Sequence, residues 1–299
     1  MVLSRRRPGA ALAAVAALGI AACGGDDDGA ADATGRVVIA TTGIWADVAG
    51  MVACDGAVTV EALVPPGGDP HGYEPSLRDR ERLDGAALIV ANGGGLEELL
   101  DDTLEQAEAG GVPVVRMVDL VGGGEVDRHV WFDPMAVSAA LPALGDALVA
   151  AGADRAVTAG CVADAQAELG VLDADVAAAL ATVPADRRLL VTNHDSLGAF
   201  ADRYGFEVLG SVLPSTSTLG AASPRALEAL GEEIEATGVP AIFAETLHSS
   251  ADADALADRL GVVVVELYTD ALGEPGSGAD TYPGLLRTDA ERIADALGG

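Results

Sequence analysis

The sequence predicts an α/β fold of two similar α/β lobes with parallel-type sheets, joined by one long rigid helix. From Arg36 onward, short runs rich in β-branched residues alternate with Ala-rich amphipathic segments. This alternation is typical of parallel sheets that carry helices on both faces. A long Ala-rich stretch separates the two alternating halves, and 299 residues are enough for two hydrophobic cores.

The predicted first lobe covers residues 36–153. Strands are predicted at 37–41, 58–64, 86–91 and 112–115, and helices at 44–52, 76–83 and 96–108. The helix at 76–83 begins with a capping-box pattern, because Asp79 stands three residues after Ser76.

The predicted linking helix covers residues 154–182, within a stretch, 135–180, that contains few helix breakers. Gly160 and Gly170 weaken the helical pattern without ending it. The predicted second lobe covers 183–299. Its strands are expected at 189–192, 206–212, 241–244 and 262–267, and its helices at 196–204, 223–236, 251–260 and 281–297.

The first 35 residues have the pattern of a targeting segment and a tether. Three Arg residues precede an apolar stretch, residues 10–22, that is too short to span a bilayer and ends in small residues before Cys23. This ending resembles a bacterial lipobox, so residues 1–22 are predicted to be a lipoprotein signal peptide and Cys23 to be lipidated. An ordinary secretory signal with a chance Cys is the alternative. Residues 23–35 would form a flexible acidic tether. The chain is thus expected to be exported and lipid-anchored, on the outer face of the cytoplasmic membrane or in the periplasm.

The composition excludes several partners. The net charge is −30, all 17 basic residues are Arg, and the pI is near 4.1. Such a chain repels nucleic acid and anionic lipid headgroups, so no nucleic-acid partner is expected. The charge suits cations, although a solvated acidic surface that only aids solubility is a common alternative.

Two cysteines remain after Cys23, namely Cys54 and Cys161. Outside the cytoplasm such a pair is expected to form a disulfide, and two buried free thiols are the alternative.

Three of the four histidines follow predicted strands. His71 lies in a stiff loop rich in Pro and Gly, residues 65–75, and His129 and His194 also lie at strand-to-loop transitions. Asp270 follows the last predicted strand. Because ligands of open α/β sheets bind at the carboxyl ends of strands, these four side chains could meet between the lobes. Their spacing matches no local metal template, and each His could instead be solvated or hydrogen-bonded within its loop. His248 is interpreted as a surface residue at a helix start.

Several motifs occur in a fixed order along the chain: Asp69-Pro70-His71-Gly72-Tyr73-Glu74-Pro75, Asn92-Gly93-Gly94-Gly95-Leu96-Glu97, His129-Val130-Trp131-Phe132-Asp133-Pro134, Thr192-Asn193-His194-Asp195, Tyr204-Gly205, and Thr269-Asp270 with Thr281-Tyr282. The set resembles the zinc/manganese ABC-transporter substrate-binding lipoproteins, the cluster A-I metal-binding solute receptors. The resemblance covers essentially the whole mature chain. It implies a metal site in the cleft of the two-lobed fold, with the ligands His71, His129, His194 and Asp270.

The resemblance also implies a function. The chain would capture a metal ion as a monomer and deliver it to an ABC permease and its ATPase, without being an enzyme. Asp195 and Glu245 are candidates for orienting the imidazoles. The stiff linking helix favours local shifts over wide hinge closure.

Some positions depart from the family pattern. Leu99 stands where Trp is usual, Leu285-Leu286 and Asp289 replace a Met pair and an Asn, and Gly122-Gly123-Gly124 takes the place of a His-rich loop. Manganese-binding members of the family tend to have Glu at the position of His194. Three imidazoles and one carboxylate favour Zn²⁺, with Mn²⁺ as the alternative.

Two other functions fit parts of the pattern. A zinc hydrolase would need an open coordination position and a general base, which four protein ligands leave no room for. A surface adhesin or a metal store would use the same site without a permease.

Overall fold

The computed structural model describes residues 36–54, 56–122, 127–247 and 251–298. The predicted signal peptide, Cys23, the tether and His248 lie outside these residues, as do Gly123 and Gly124 of the Gly-rich segment.

The first lobe contains one parallel sheet with its helices. Its strands are β1 (Arg36–Ala40), β2 (Val58–Ala62), β3 (Leu88–Ala91) and β4 (Val114–Arg116), and its helices are α1 (Gly43–Val52), α2 (Leu77–Asp84), α3 (Asp101–Ala109), α4 (Met117–Val121) and α5 (Pro134–Ala151). The strand order is β2-β1-β3-β4, and every pairing is parallel. Ser76 and Asp79 form the predicted capping box at the start of α2.

Helix α6 (Arg155–Leu180) occupies the predicted linking stretch. It runs for 26 residues, or about 39 Å. Asp154 caps its first turn by accepting two backbone N–H groups. Its buried residues recur every three or four positions, as expected of a helix with one apolar stripe; they are Thr158, Cys161, Ala165, Leu169, Leu172, Val176 and Leu180.

The second lobe repeats the topology of the first. Its strands are β5 (Leu189–His194), β6 (Glu207–Leu213), β7 (Ala241–Glu245) and β8 (Val263–Leu267), and its helices are α7 (Gly198–Tyr204), α8 (Pro224–Thr237), α9 (Ala251–Leu260) and α10 (Tyr282–Gly298). The strand order β6-β5-β7-β8 is again wholly parallel. The predicted fold class, two parallel-sheet lobes joined by a long helix, is confirmed.

Two elements of the first lobe differ from the prediction. Helix α3 begins at Asp101 and not at residue 96, because Glu97 turns inward and is fully buried. The three glycines Gly93, Gly94 and Gly95 all have positive φ angles, which permits the tight turn before Glu97. The short helix α4 directly follows β4 and was not predicted from the sequence pattern.

Both lobes contribute to one hydrophobic core. Trp45 and Trp131 of the first lobe, Phe200 and Tyr282 of the second, and the apolar stripe of α6 belong to the same cluster. The indole of Trp131 donates a hydrogen bond of 3.0 Å to the carbonyl of Thr269, and the hydroxyl of Tyr282 donates one of 2.7 Å to the carbonyl of Trp131. The lobes are therefore tied together by packing as well as by α6.

Helix α5 is the only helix among the described residues that is long and apolar enough to cross a membrane. Half of its length is buried inside the fold, and Leu141, Leu144 and Leu148 belong to the shared core. Its apolar character is thus explained by packing.

Cys54 and Cys161 form the predicted disulfide, which links the end of α1 to α6. Their Cα atoms lie 6.2 Å apart, and 107 positions separate the two residues in the sequence. A bond that closes so long a loop restricts the unfolded chain strongly.

Replacing both cysteines in the variant Cys54→Ser/Cys161→Ser is expected to lower the free energy of unfolding by about 4–5 kcal/mol, the chain-entropy value for a loop of roughly 100 residues. Urea unfolding followed by circular dichroism measures this difference. Reduced wild-type protein should unfold close to the double variant. Coincident curves for the oxidised, reduced and substituted proteins would contradict the prediction.

Candidate metal centre

Four buried side chains converge where strand ends of the two lobes face each other. His71 lies in the loop after β2, and His129 precedes a short 3₁₀ turn, Val130–Phe132. His194 is the last residue of β5, and Asp270 follows β8. The structure thus brings together the residues that the sequence singled out. We call them the His3Asp cluster: His71, His129, His194 and Asp270.

One donor atom from each member of the cluster lies within 4.8 Å of the others. The Nε2 atoms of His129 and His194 are 3.0 Å apart. The Asp270 carboxylate lies 3.4 Å from Nε2 of His129, 3.6 Å from Nε2 of His194 and 3.8 Å from Nε2 of His71. A tetrahedral ion with metal–ligand bonds of about 2.0–2.1 Å holds its ligand atoms about 3.3 Å apart. The cluster therefore has nearly the dimensions of a tetrahedral site.

Several of these donor atoms lack a hydrogen bond. Both ring nitrogens of His71 and both oxygens of Asp270 are buried and have no hydrogen-bond partner among the described residues. A buried polar group without such a partner costs about 1–3 kcal/mol, and more if it is charged. A cation at the centre of the cluster would satisfy one ring nitrogen of His71 and the carboxylate of Asp270 at once.

The titration of the cluster is strongly shifted. Burial lowers the pKa of His71 to about 4, against the attraction of Asp270. Burial also acts to lower the pKa of His129, but the carboxylates of Asp127 and Asp270 outweigh it and raise this pKa to about 9. Burial alone would raise the pKa of Asp270, yet the imidazoles around it hold that pKa well below the usual range. At neutral pH Asp270 is ionised, His71 is neutral and His129 carries a proton.

Carboxylates behind two of the imidazoles direct Nε2 towards the cluster centre. Nδ1 of His194 contacts Oε1 of the buried Glu245, which sequence reasoning had placed near the site. Nδ1 of His129 lies 3.3 Å from Oδ1 of Asp127. A carboxylate at Nδ1 fixes the ring orientation and leaves the other nitrogen free for a metal.

Of the two candidates for orienting an imidazole, Glu245 contacts the His194 ring in the structure and Asp195 does not. Asp195 is exposed and its backbone N–H donates to the carbonyl of Ser215, while Glu245 occupies Nδ1 of His194. Asp127 was missed, although it stands two residues before His129 just as Asp69 stands two residues before His71.

A second buried carboxylate, Glu97, supports the site from the first lobe. It accepts hydrogen bonds from the hydroxyl of Thr41 and from the backbone N–H groups of Asn92 and Gly93. Burial raises the pKa of Glu97. The side chain of Asn92 in turn donates to the carbonyl of Arg128, the residue before His129. Glu97 therefore joins the residues that follow β1 and β3, and Asn92 connects them to the residue before His129.

A cavity of about 190 Å³ has Asp270 among its lining residues. Its walls come from the loop after β2 and the loop after β8, with Val64, Pro65 and Leu272 among the lining residues and Asp280 among the polar ones.

Two parallel-sheet lobes with a buried set of metal-type donors at their facing strand ends define a two-lobed metal-binding protein of the solute-receptor type. The chain belongs to the ZnuA family, described as the periplasmic component A of zinc-uptake complexes, whose model matches residues 38–296. The resemblance drawn from the motifs is thereby confirmed.

Relatives of known description cover nearly the whole chain. The chain is 35% identical over 289 residues to the zinc-binding protein TroA of Treponema pallidum (strain Nichols), covering 91% of this chain and 92% of TroA. It is 28% identical over 292 residues to the manganese-binding lipoprotein MntA of Halalkalibacterium halodurans, covering 95% and 96%. The solved structure of the periplasmic zinc binding protein TroA from Treponema pallidum matches with a TM-score of 0.80 and 33% identity, over 88% of this chain and 99% of that one.

Asp289 anchors the segment that carries Asp270. Its Oδ1 accepts the backbone N–H of Tyr268 at 3.0 Å, and its Oδ2 has no hydrogen-bond partner among the described residues. Burial raises the pKa of Asp289 well above its ordinary value, although Arg292 opposes the shift. The folded protein therefore keeps Asp289 neutral at pH values where the unfolded chain ionises it, so this residue reduces stability as the pH rises above about 4.

The isosteric variant Asp289→Asn is expected to be more stable than wild type. Its advantage should be small at pH 5 and larger at pH 8, growing by at most about 1.4 kcal/mol per pH unit. Urea unfolding at the two pH values measures it. Asp289→Leu, which cannot accept the Tyr268 N–H, serves as the control and should lose stability at both. A pH-independent difference between Asn and Asp would contradict the prediction.

Proposed function

We propose that this protein is the extracytoplasmic solute-binding component of a metal ABC importer, which captures Zn²⁺ at the His3Asp cluster and delivers it to a membrane permease. The observation that carries the proposal is the convergence of four buried donor atoms, among which those of His71 and Asp270 have no hydrogen-bond partner among the described residues. The metal ion is the cargo of this site.

The donor set favours zinc over manganese. Three imidazole nitrogens and one carboxylate oxygen are a borderline-soft set that suits Zn²⁺, whereas Mn²⁺ prefers oxygen ligands. At a given site of N and O ligands, Zn²⁺ also binds more tightly than Mn²⁺. The similarity to a zinc-binding protein at 35% identity supports the same choice. Manganese is the second candidate, because MntA of Halalkalibacterium halodurans is described as manganese-binding.

A binding role explains the cluster better than catalysis. A catalytic zinc site keeps one coordination position open for water or substrate, whereas four protein donors complete a tetrahedron. The cluster is also fully buried. Both features suit the capture of an ion and leave no place for a substrate beside it.

The proposed partners follow from the role as a solute-binding component of an importer. The chain would be held at the membrane by a lipid on Cys23, act as a monomer, and pass its ion to an ABC permease driven by an ATPase. A relative from Streptococcus anginosus, 24% identical over 296 residues, is described as a manganese ABC transporter substrate-binding lipoprotein. That description supports both the transporter partner and the anchor.

Binding of a metal ion at the cluster requires His129 to lose a proton. Asp270 is ionised and His71 neutral at pH 7, so both can bind an ion without prior change. His129 is protonated there, because its pKa is about 9, and Nε2 must lose its proton before it can bind. Asp127 then remains at Nδ1 to hold the ring.

We expect the wild-type protein to bind one Zn²⁺ per chain. His71→Ala and His194→Ala should each weaken binding by more than about 100-fold, because even the loss of an outer partner of a metal ligand typically costs 10–100-fold. Titration calorimetry with a competing chelator measures the affinities. Asp195→Ala, on the exposed neighbour of His194, is the matched control and should bind like wild type.

Two results would contradict parts of this proposal. Tight Mn²⁺ binding with weak Zn²⁺ binding would overturn the choice of metal and leave the receptor role standing. Histidine variants that bind zinc like wild type would show that the cluster is not the site.

Zinc affinity is expected to rise with pH. Below a pKa of about 9 the proton on His129 competes with the ion, so the affinity should increase about tenfold per pH unit between about pH 6 and pH 8. Protons compete with zinc for His71 only as the pH falls towards the pKa of this residue, about 4. Calorimetry in two buffers of different ionisation enthalpy should report about one proton released per zinc at pH 7. A release of zero protons would contradict the assignment of the proton to the cluster.

A further inference from the structure

The two histidines of the first lobe share a local arrangement. Asp69 precedes His71 by two residues, and Asp127 precedes His129 by two. In both cases Oδ1 of the Asp accepts the backbone N–H of the His at 2.9 Å. Such a short-range turn is common by itself, because Asp side chains readily bond the backbone two residues on.

The other oxygen of each Asp reaches into the second lobe. Oδ2 of Asp69 accepts the hydroxyl of Thr218 at 2.7 Å, and Oδ2 of Asp127 accepts the backbone N–H of Ala199 at 2.6 Å. Thr218 lies in the loop between β6 and α8, and Ala199 lies in α7. Each carboxylate therefore joins a histidine of one lobe to an element of the other.

A glycine makes room for each bridging oxygen. A Cβ atom at Gly72 would lie 3.2 Å from Oδ2 of Asp69, and one at Gly198 would lie 2.8 Å from Oδ2 of Asp127. Gly198 therefore could not carry a side chain without moving the carboxylate. Gly198 belongs to the lobe opposite Asp127, whereas Gly72 lies in the same loop as Asp69, where a Cβ atom would also lie 3.6 Å from Leu219 of the second lobe.

We infer that Asp69 and Asp127 are positioning residues that clamp the two first-lobe histidines to the second lobe, so that a bound ion leaves only when a clamp opens. The inference rests on the proposed function, because it takes His71 and His129 as ligands of the cargo. The second lobe supplies the other two members of the cluster, and the clamps hold the two pairs at binding distance. A loop that moves away from the second lobe carries its histidine with it.

The test compares Thr218→Val, which loses the hydroxyl, with Thr218→Ser, which keeps it. We expect zinc to dissociate from Thr218→Val about tenfold faster, near the lower limit for a hydrogen bond to a charged group. Thr218→Ser should dissociate like wild type, and the melting temperature of the metal-free protein should not separate the two variants. Stopped-flow transfer of zinc to a chromogenic chelator measures the rates.

Asp127→Asn tests the second clamp without metal. The N–H groups of His129 and Ala199 donate to different oxygens of Asp127, and in Asn an NH₂ group replaces one of them, so one N–H group loses its acceptor. One of these two amides should exchange hydrogen faster in the metal-free variant than in metal-free wild type, as measured by NMR. Zinc should also dissociate faster from this variant.

The outcomes separate the clamp from the proposed function. A wild-type rate for Thr218→Val, or equal acceleration in the Val and Ser variants, would overturn the clamp while zinc binding stands. Unchanged exchange of both amides in Asp127→Asn would overturn it for the second histidine. If wild type takes up no zinc, the proposed function fails, and the clamp's role in holding an ion fails with it.

Discussion

The carboxylate of Asp270 is the charge on which the rest of the site depends. It is fully buried, faces three imidazoles and has no hydrogen-bond donor among the described residues. An uncompensated ion in the protein interior costs several kcal/mol, so a positive charge must accompany it. In the metal-free protein a proton on His129 supplies that charge. Under the proposed function, a divalent cation would supply this positive charge in place of the proton. The fold therefore holds a buried negative centre that needs a positive partner.

Both lobes have the same strand order, yet they use its central crevice differently. In each sheet the chain reverses its direction of travel between the two middle strands, which is where α/β folds bind ligands. In the first lobe Glu97 fills this place and is satisfied by Thr41 and by backbone N–H groups. In the second lobe His194 and Glu245 end the two middle strands and contact each other. The crevice of the first lobe is filled by Glu97 and its hydrogen bonds. The crevice of the second lobe directs Nε2 of His194 towards the cluster.

The sequence predicted most of the architecture because strand and helix periodicity is local. It singled out the members of the His3Asp cluster because the ends of parallel strands meet at one sheet edge. That the residues of the two lobes form one site across the cleft was implied by the motif resemblance. Prediction from the sequence failed where a side chain's direction depends on distant partners. Asp195 is adjacent to His194 in sequence and Asp127 is two residues from His129, but only Asp127 turns towards its ring. Likewise, α3 begins late because Glu97 finds its partners in the residues that directly follow β1 and β3, which no helical pattern encodes.

The shared core limits how an ion can reach the cluster. Trp131 and Tyr282 come from different lobes, are fully buried in one cluster and are joined by a hydrogen bond, so wide separation of the lobes would expose large aromatic surfaces. Burial of apolar surface contributes about 25 cal/mol per Å², which makes such an opening costly. Helix α6 packs into the same core along its length. The loops that line the cavity beside Asp270 contribute less to this core, because Leu272 packs against it only partly buried and the lining residues Pro65, Pro66 and Pro275 are exposed. Movement of these loops is therefore a less costly way to reach the cluster than a hinge between the lobes.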